Sequence, residues 1–308
     1  MKDVLVLMPV EDRHKEKLEA AGAGCRFHYS TPAQVSPEAI QSANIILGQP
    51  EAEMIGASGN LEWLQLESAG ADAYIKPGVL NEKTVLTNAT GAYSKAVAEH
   101  AFALMMALAK NLIPVSNEYR EKGFSAKNHA PGVELTGKTV GVIGVGRIGS
   151  RFARMCLGFG MRVVCYDPYI TEVPEGAVLT GDIQEVLRQA DVLSLHCALT
   201  DETRGMINAG CLALMKPSAI LINCARGPMV DEAALIEALK SGGLAAAGLD
   251  VTDPEPVPAE SPLFQLPNVI VTPHYAPTTL EAAVRVSQIG CQNIAAVLSG
   301  REPAGRIV

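Results

Sequence analysis

Short runs rich in Val and Ile alternate along this chain with stretches whose apolar residues recur at helical spacing, a pattern that favours parallel βα units. In the first section, strands are expected at 4–8, 44–48, 61–66 and 85–87, with a helix at 11–21 and a small-residue turn at Ser68-Ala69-Gly70-Ala71. A long helix follows at 94–112, with Val97, Ala101, Leu104, Met105 and Leu108 on one face. Its other positions are largely Ala and Met, so both sides should be buried, as at a domain or subunit interface. The stretch 120–137 is polar, carries Pro131 and Gly132, and reads as a loop.

From there the alternation becomes regular. Six strands are expected at 139–143, 162–166, 192–196, 219–223, 245–251 and 269–272, matching a doubly wound sheet in number and spacing. One intervening helix, 182–189, opens on the capping pattern Asp182-x-x-Glu185. A last helix at 279–298 is expected to return to the first domain. The layout is an α/β chain of two Rossmann-like or flavodoxin-like domains, with 93–278 inserted between 1–92 and 279–308.

Size and charge narrow the class. A chain of 308 residues is long enough for about two domains and needs no disulfide or metal staple. With 48% apolar and 19% charged residues it is globular rather than disordered. The net charge of -8 argues against nucleic acid or anionic lipid as partners. The longest apolar candidate for a membrane span, 101–109, is bounded by Glu99, His100 and Lys110, and 4–10 is too short and too soon followed by charge for a signal peptide. Seven cysteines without a CxxC pair suit a reduced, cytoplasmic protein with no zinc site.

The chemistry starts at Gly144-Val145-Gly146-Arg147-Ile148-Gly149, which follows one expected strand and opens a helix. Gly144, Gly146 and Gly149 there would serve a tight turn, close approach of backbone to pyrophosphate, and close helix–strand packing. The pyrophosphate would rest on the helix N-terminus. Asp167 ends the next strand and can accept hydrogen bonds from ribose hydroxyls while repelling a 2′-phosphate; no Arg follows it directly, so NAD is favoured over NADP.

Arg226 lies just beyond the strand 219–223, at the carboxyl end where sheet ligands bind, and a guanidinium there can grip a carboxylate and polarise an adjacent carbonyl. His274 occupies the same end of 269–272 and can hold the proton that a nascent alkoxide needs. Glu255 follows the strand 245–251. Paired with His274 it would favour the imidazolium and fix the ring's tautomer. The bland alternatives are a surface Arg in a turn, an exposed His, and solvated acids at Asp253 and Glu255 in a Pro-rich turn.

Gly144–Gly149 with Asp167, Asn223-Cys224-Ala225-Arg226-Gly227, Asp250-Val251-Thr252-Asp253-Pro254-Glu255-Pro256 and Thr272-Pro273-His274 together resemble the D-isomer-specific 2-hydroxyacid dehydrogenase family. The resemblance extends to Ser68-Ala69-Gly70-Ala71-Asp72 and to Asn88-x-x-Gly91 leading into Val97-Ala98-Glu99-His100. It implies reduction of a small 2-keto acid to a D-2-hydroxy acid by NADH, with Arg226, Glu255 and His274 as the reacting set and Asp253 a decoy. It further implies that Ala69 and Gly70 offer N–H groups to the substrate carboxylate and that Arg147 and Ile148 hold pyrophosphate. Cys197, Cys224, Ala225 and Asp250 would line the adenosine and nicotinamide sites, Asp250 facing the carboxamide. The helix 94–112 would be a homodimer interface, and the cleft would close about hinges near 90–94 and 276–279.

Two alternatives stay open. A formate dehydrogenase shares this fold but pairs its His with Gln, against Glu255; a dinucleotide-sensing corepressor could keep all three residues. The chain is expected to lack the carboxy-terminal regulatory domain of many phosphoglycerate dehydrogenases. Pro277 stands where Gly is frequent, Ala198 where Pro is usual, and the only Trp is Trp63. Glyoxylate, hydroxypyruvate, pyruvate and 3-phosphohydroxypyruvate therefore all remain candidates.

Overall fold

A computed structural model describes residues 1–56, 58–123 and 131–308. Chain contacts divide it into two units, residues 1–93 with 278–308 and residues 94–277. The first unit runs β1 (Asp3–Val6), α1 (Asp12–Ala21), β2 (Arg26–Tyr29), α2 (Pro37–Ser42), β3 (Ile45–Leu47), α3 (Ala52–Ile55), β4 (Trp63–Gln65) and β5 (Val85–Thr87). The second opens with α4 (Ser94–Ala109), α5 (Leu112–Lys122), β6 (Thr139–Ile143), α6 (Arg147–Gly158), β7 (Arg162–Tyr166) and β8 (Val178–Thr180). It continues with α7 (Ile183–Gln189), β9 (Val192–Leu195), α8 (Ala209–Leu214), β10 (Ile220–Asn223), α9 (Glu232–Ser241), β11 (Ala246–Leu249) and β12 (Val269–Val271). The chain then returns to the first unit as α10 (Leu280–Leu298).

Both sheets are wholly parallel. The first has the order β2-β1-β3-β4-β5, so its strand order reverses between β1 and β3. The second has the order β12-β11-β10-β9-β6-β7-β8 and reverses between β6 and β9. At such a reversal neighbouring crossovers leave on opposite faces, which opens a crevice at the strand carboxyl ends. The fold class expected from the alternation is the one found.

Two strands escaped the sequence reading. β2 (Arg-Phe-His-Tyr) and β8 (Val-Leu-Thr) each form one edge of a sheet and carry mostly exposed or half-buried side chains, so they lack the continuous apolar run of a covered strand. The short helices α2 and α3 were also not anticipated.

The single helix expected at 94–112 is interrupted. Continued regularly, it would set the Pro114 ring against the carbonyl of Lys110. Instead Asn111 turns left-handed at φ 52°, the axis bends by 55°, and α5 restarts with Pro114 in its first turn, where no amide donor is required. α5 runs to Lys122, so the start of the expected loop 120–137 is helical. The middle of that stretch, with His129, lies outside the described residues.

α4 is buried by its own unit. A Cβ at Gly248 of β11 would stand 3.1 Å from both Leu104 Cβ and Leu108 Cδ1, and the Phe102 ring meets those of Phe152 and Phe159 at 6.5 and 5.6 Å. The apolar surface left open lies on α5 instead, where Leu112, Ile113 and Tyr119 are 55%, 45% and 61% exposed. No single helix among the described residues is long and apolar enough to cross a membrane.

The expected capping box on α7 forms by half. Asp182 accepts from the Gln184 amide at 2.9 Å, while Glu185 takes the Thr180 hydroxyl at 2.5 Å rather than the Asp182 amide. In the first unit, α10 is locked to its sheet by a buried polar chain. Asn293 Nδ2 donates to Gln65 Oε1 (2.6 Å), which also receives the Thr87 hydroxyl (2.8 Å), and Trp63 Nε1 donates to Thr87 Oγ1 (2.8 Å).

Candidate active site

In the second unit the residues singled out by sequence gather at the carboxyl ends of the strands. Gly144 follows β6 at φ +86°, a conformation that L side chains resist, and a Cβ there would stand 2.4 Å from the Cys197 amide. A Cβ at Gly149 would lie 2.0 Å from the Gly144 carbonyl, so the third glycine lets α6 start tight against the loop. Gly146 differs: a Cβ there would meet no protein atom within 4 Å. Its outer side faces open space, and the amides of Arg147 and Ile148 at the start of α6 donate to no described residue. Free amides, a helix N-terminus and an uncovered glycine form a cradle that fits a pyrophosphate.

Asp167 ends the neighbouring β7. Its Oδ2 accepts from the Val145 amide at 2.8 Å and its Oδ1 from the Tyr169 amide at 3.0 Å, so the carboxylate is tied to the Gly-rich loop. The remaining lone pairs suit ribose hydroxyls. Cys197, after β9, turns its sulfur inward to the Met229 and Met206 sulfurs at 3.8 and 3.9 Å, and burial pushes the thiol up to about 11. Burial likewise raises the Cys224 thiol far above its ordinary value. Both are packed thiols rather than reactive ones, and what they could offer a nucleotide is backbone.

Three adjacent strands, β10, β11 and β12, carry Arg226, Glu255 and His274. Two contacts draw their loops together. A Cβ at Gly227 would lie 1.9 Å from the Thr252 carbonyl oxygen, so only glycine lets the Arg226 turn close on the loop of Glu255. His274 Nδ1 then stands 2.7 Å from Glu255 Oε1. The ring is thereby fixed with Nδ1 toward the carboxylate and Nε2 left to face a reactant. Asp253 lies instead near Glu232, whose carboxyl is raised chiefly by burial, against the hydrogen bond that the Asp253 amide gives it. Arg226 is half-buried and donates from Nη1 to the Ala225 carbonyl at 2.7 Å, while Asn223 ties the turn by accepting from the Ala225 amide and donating to the Arg226 carbonyl.

His274 sits at φ 50°, unusual for a non-glycine residue. Asp250 holds it there. The Asp250 carbonyl accepts the His274 amide at 2.8 Å, and its buried carboxylate accepts the amides of Tyr275 (2.7 Å) and Ala276 (2.9 Å) and the Thr272 hydroxyl (2.5 Å). His100 reaches Thr272 Oγ1 at 3.0 Å and Asp250 Oδ1 at 3.5 Å. Sequence spacing gave no sign of this support beneath His274, because His100 and Thr272 are 172 positions apart.

In the first unit, Ala69 and Gly70 follow β4. The Ala69 carbonyl accepts from Asn88 Nδ2 at 2.6 Å and the Gly70 carbonyl from the Ser68 hydroxyl at 2.7 Å. Their amides donate to no described residue. Oxygens tied back with amides free make a turn suited to a carboxylate.

A family model for the D-isomer specific 2-hydroxyacid dehydrogenase NAD-binding domain matches residues 102–276. A D-3-phosphoglycerate dehydrogenase of Methanocaldococcus jannaschii is 41% identical over 251 residues, covering 80% of this chain and 48% of that protein. The chain thus spans about half the length of that relative. A glyoxylate reductase of Korarchaeum cryptofilum is 36% identical over 258 residues, covering 82% of this chain and 78% of the relative. The crystal structure of D-lactate dehydrogenase with NAD+ from Lactobacillus jensenii superposes with a TM-score of 0.80 at 29% identity, covering 99% of each chain.

Proposed function

The chain belongs to the D-isomer-specific 2-hydroxyacid dehydrogenase family, and we propose that it interconverts a small 2-keto acid and its D-2-hydroxy acid with NAD(H). The observation that carries this reading is the 2.7 Å pairing of His274 with Glu255, one strand away from Arg226. Segment 93–278 serves the dinucleotide, and 1–92 with 279–308 serves the substrate.

In reduction, the amides of Ala69 and Gly70 and the guanidinium of Arg226 receive the substrate carboxylate. Arg226 also polarises the keto oxygen. His274, oriented by Glu255 on Nδ1, gives its Nε2 proton to that oxygen as it becomes an alkoxide; in oxidation the same nitrogen takes the proton back. NADH, when bound, supplies the hydride to the keto carbon. Gly144, Gly146, Arg147, Ile148 and Gly149 cradle its pyrophosphate, and Asp167 takes the ribose hydroxyls and favours NAD over NADP. Cys197, Cys224 and Ala225 contribute backbone. Asp250 holds the His274 loop and would lie beside the carboxamide.

The relatives' own names make 3-phosphohydroxypyruvate and glyoxylate the first substrates to try, with hydroxypyruvate and pyruvate beside them. Pairing of two chains is assigned to the open apolar face of α5 rather than to α4. Steady-state oxidation of NADH and NADPH against this keto-acid panel tests the reading. Turnover with at least one acid, faster with NADH, is expected. Binding of NADH with no turnover on any acid would leave a nucleotide-sensing protein.

A further inference from the structure

Two residues before Ala69 stands Glu67, a group that the chemistry above does not use. Its backbone is pinned, since its carbonyl accepts the Tyr93 hydroxyl. Its side chain has no hydrogen bond or ion pair with any described residue, and burial holds its carboxyl above the ordinary range. An unpaired carboxylate withdrawn from water is a standing electrostatic cost. Gln or Ser at this place would line the same wall without it.

The wall belongs to a cavity of about 510 Å³ at the carboxyl ends of β1 and β2, the size of a small-molecule site. Leu7, Met8, Val10 and Pro32 give it an apolar lining, with Ser30 and Gln34 as polar groups. The other charged lining residue, Lys15, is already engaged: its ammonium lies 5.4 Å over the Tyr29 ring and 3.3 Å from Asp12. Glu67 is thus the one lining charge left without a counter-ion among the described residues.

We propose that this cavity is an organic-cation subsite in which Glu67 pairs with an ammonium or guanidinium group. Resting on the reductase reading, this makes the favoured substrate a 2-keto acid with a basic side chain. Glu67 and Ala69 are two residues apart, so their Cα atoms stand no more than about 7 Å from each other, a span within the reach of a chain of roughly three or four methylenes. A carboxylate held at one end of the loop leaves the basic group near the other.

The test compares 5-guanidino-2-oxopentanoate with neutral 2-oxohexanoate in wild type, Glu67→Gln and Glu67→Asp, together with calorimetric binding of butylguanidinium, which carries no keto acid. In wild type the basic acid should be favoured in kcat/KM by about tenfold or more, chiefly through KM, as one charge-assisted pair provides. Glu67→Gln should bring the ratio near one and weaken butylguanidinium about tenfold, and Glu67→Asp should restore part of both. A ratio taken within each variant is insensitive to how much of that variant folds. A wild-type ratio near one, or a ratio and binding untouched by Glu67→Gln, overturns the proposal. If no keto acid is reduced, the reductase reading fails by itself; Glu67-dependent binding of butylguanidinium then still supports the cation subsite, and its absence removes it.

Discussion

His274 concentrates three constraints in one residue: a left-handed backbone, a carboxylate on Nδ1, and an Nε2 with no protein partner among the described residues. Strain of this kind persists only where surrounding bonds impose it, and here the carbonyl and carboxylate of Asp250 do so. Proton transfer by a placed side chain contributes about 100- to 10,000-fold, so His274→Ala should lower kcat by that order. Fluorescence titration should find NADH affinity unchanged, because the cradle of the Gly-rich loop is untouched. Near-normal turnover of that variant would remove His274 from the mechanism. The types and order of Arg226, Glu255 and His274 were legible in the sequence. The acid in contact with His274 was not readable from the residues alone, since Asp253 and Glu255 share one turn and only the path of the loop brings Glu255 to Nδ1.

At the scale of elements, what sequence conveys depends on where an element lies. Interior strands such as β6, β9 and β10 announce themselves, because crossover helices cover both faces and nearly every position is apolar. Edge strands β2 and β8 do not. The interruption between α4 and α5 was written in Pro114, but apolar periodicity runs on across it. α10 offers the sharpest test of an element's attachment. Asn293→Ala would leave Gln65 and the Ala304 carbonyl short of a donor in a buried place, at a cost of about 1–3 kcal/mol. Urea denaturation should register that loss, and a change below about 0.5 kcal/mol would mean that this lock is dispensable.

Acid stability and assembly belong to the whole molecule. The His196 imidazole is half-buried beside Phe152, with Nδ1 unpartnered among the described residues, and burial depresses its pKa to about 3 from an ordinary 6.5. The folded chain thus stays neutral there while the unfolded chain gains a proton below pH 6.5. This destabilisation is absent above pH 6.5 and grows by about 1.4 kcal/mol for each unit of pH lost on the way down to the folded value. Urea midpoints at pH 7 and pH 5 should diverge more for wild type than for His196→Asn; equal divergence would show that this ring does not govern the acid limb. For assembly, the pairing proposed above predicts a dimer for wild type in sedimentation velocity and a monomer for Leu112→Glu with Ile113→Glu on the open face of α5, with the far-ultraviolet spectrum unchanged. A dimer that survives the change would put the interface elsewhere.

What the sequence by itself determined was local: the βα alternation, the glycine-rich turn, Asp167 at the next strand end, and the kinds of group present in each later loop. These are consequences of neighbours a few positions apart, whose periodicity and turn chemistry act before any distant contact forms. Tertiary structure alone decided which groups meet: Glu255 with His274, His100 with Thr272, Asn293 with Gln65, and the Glu67 carboxylate with none of the described residues. Such partners are chosen by strand order and by how closely loops can approach, and neither is encoded at any fixed spacing along the chain.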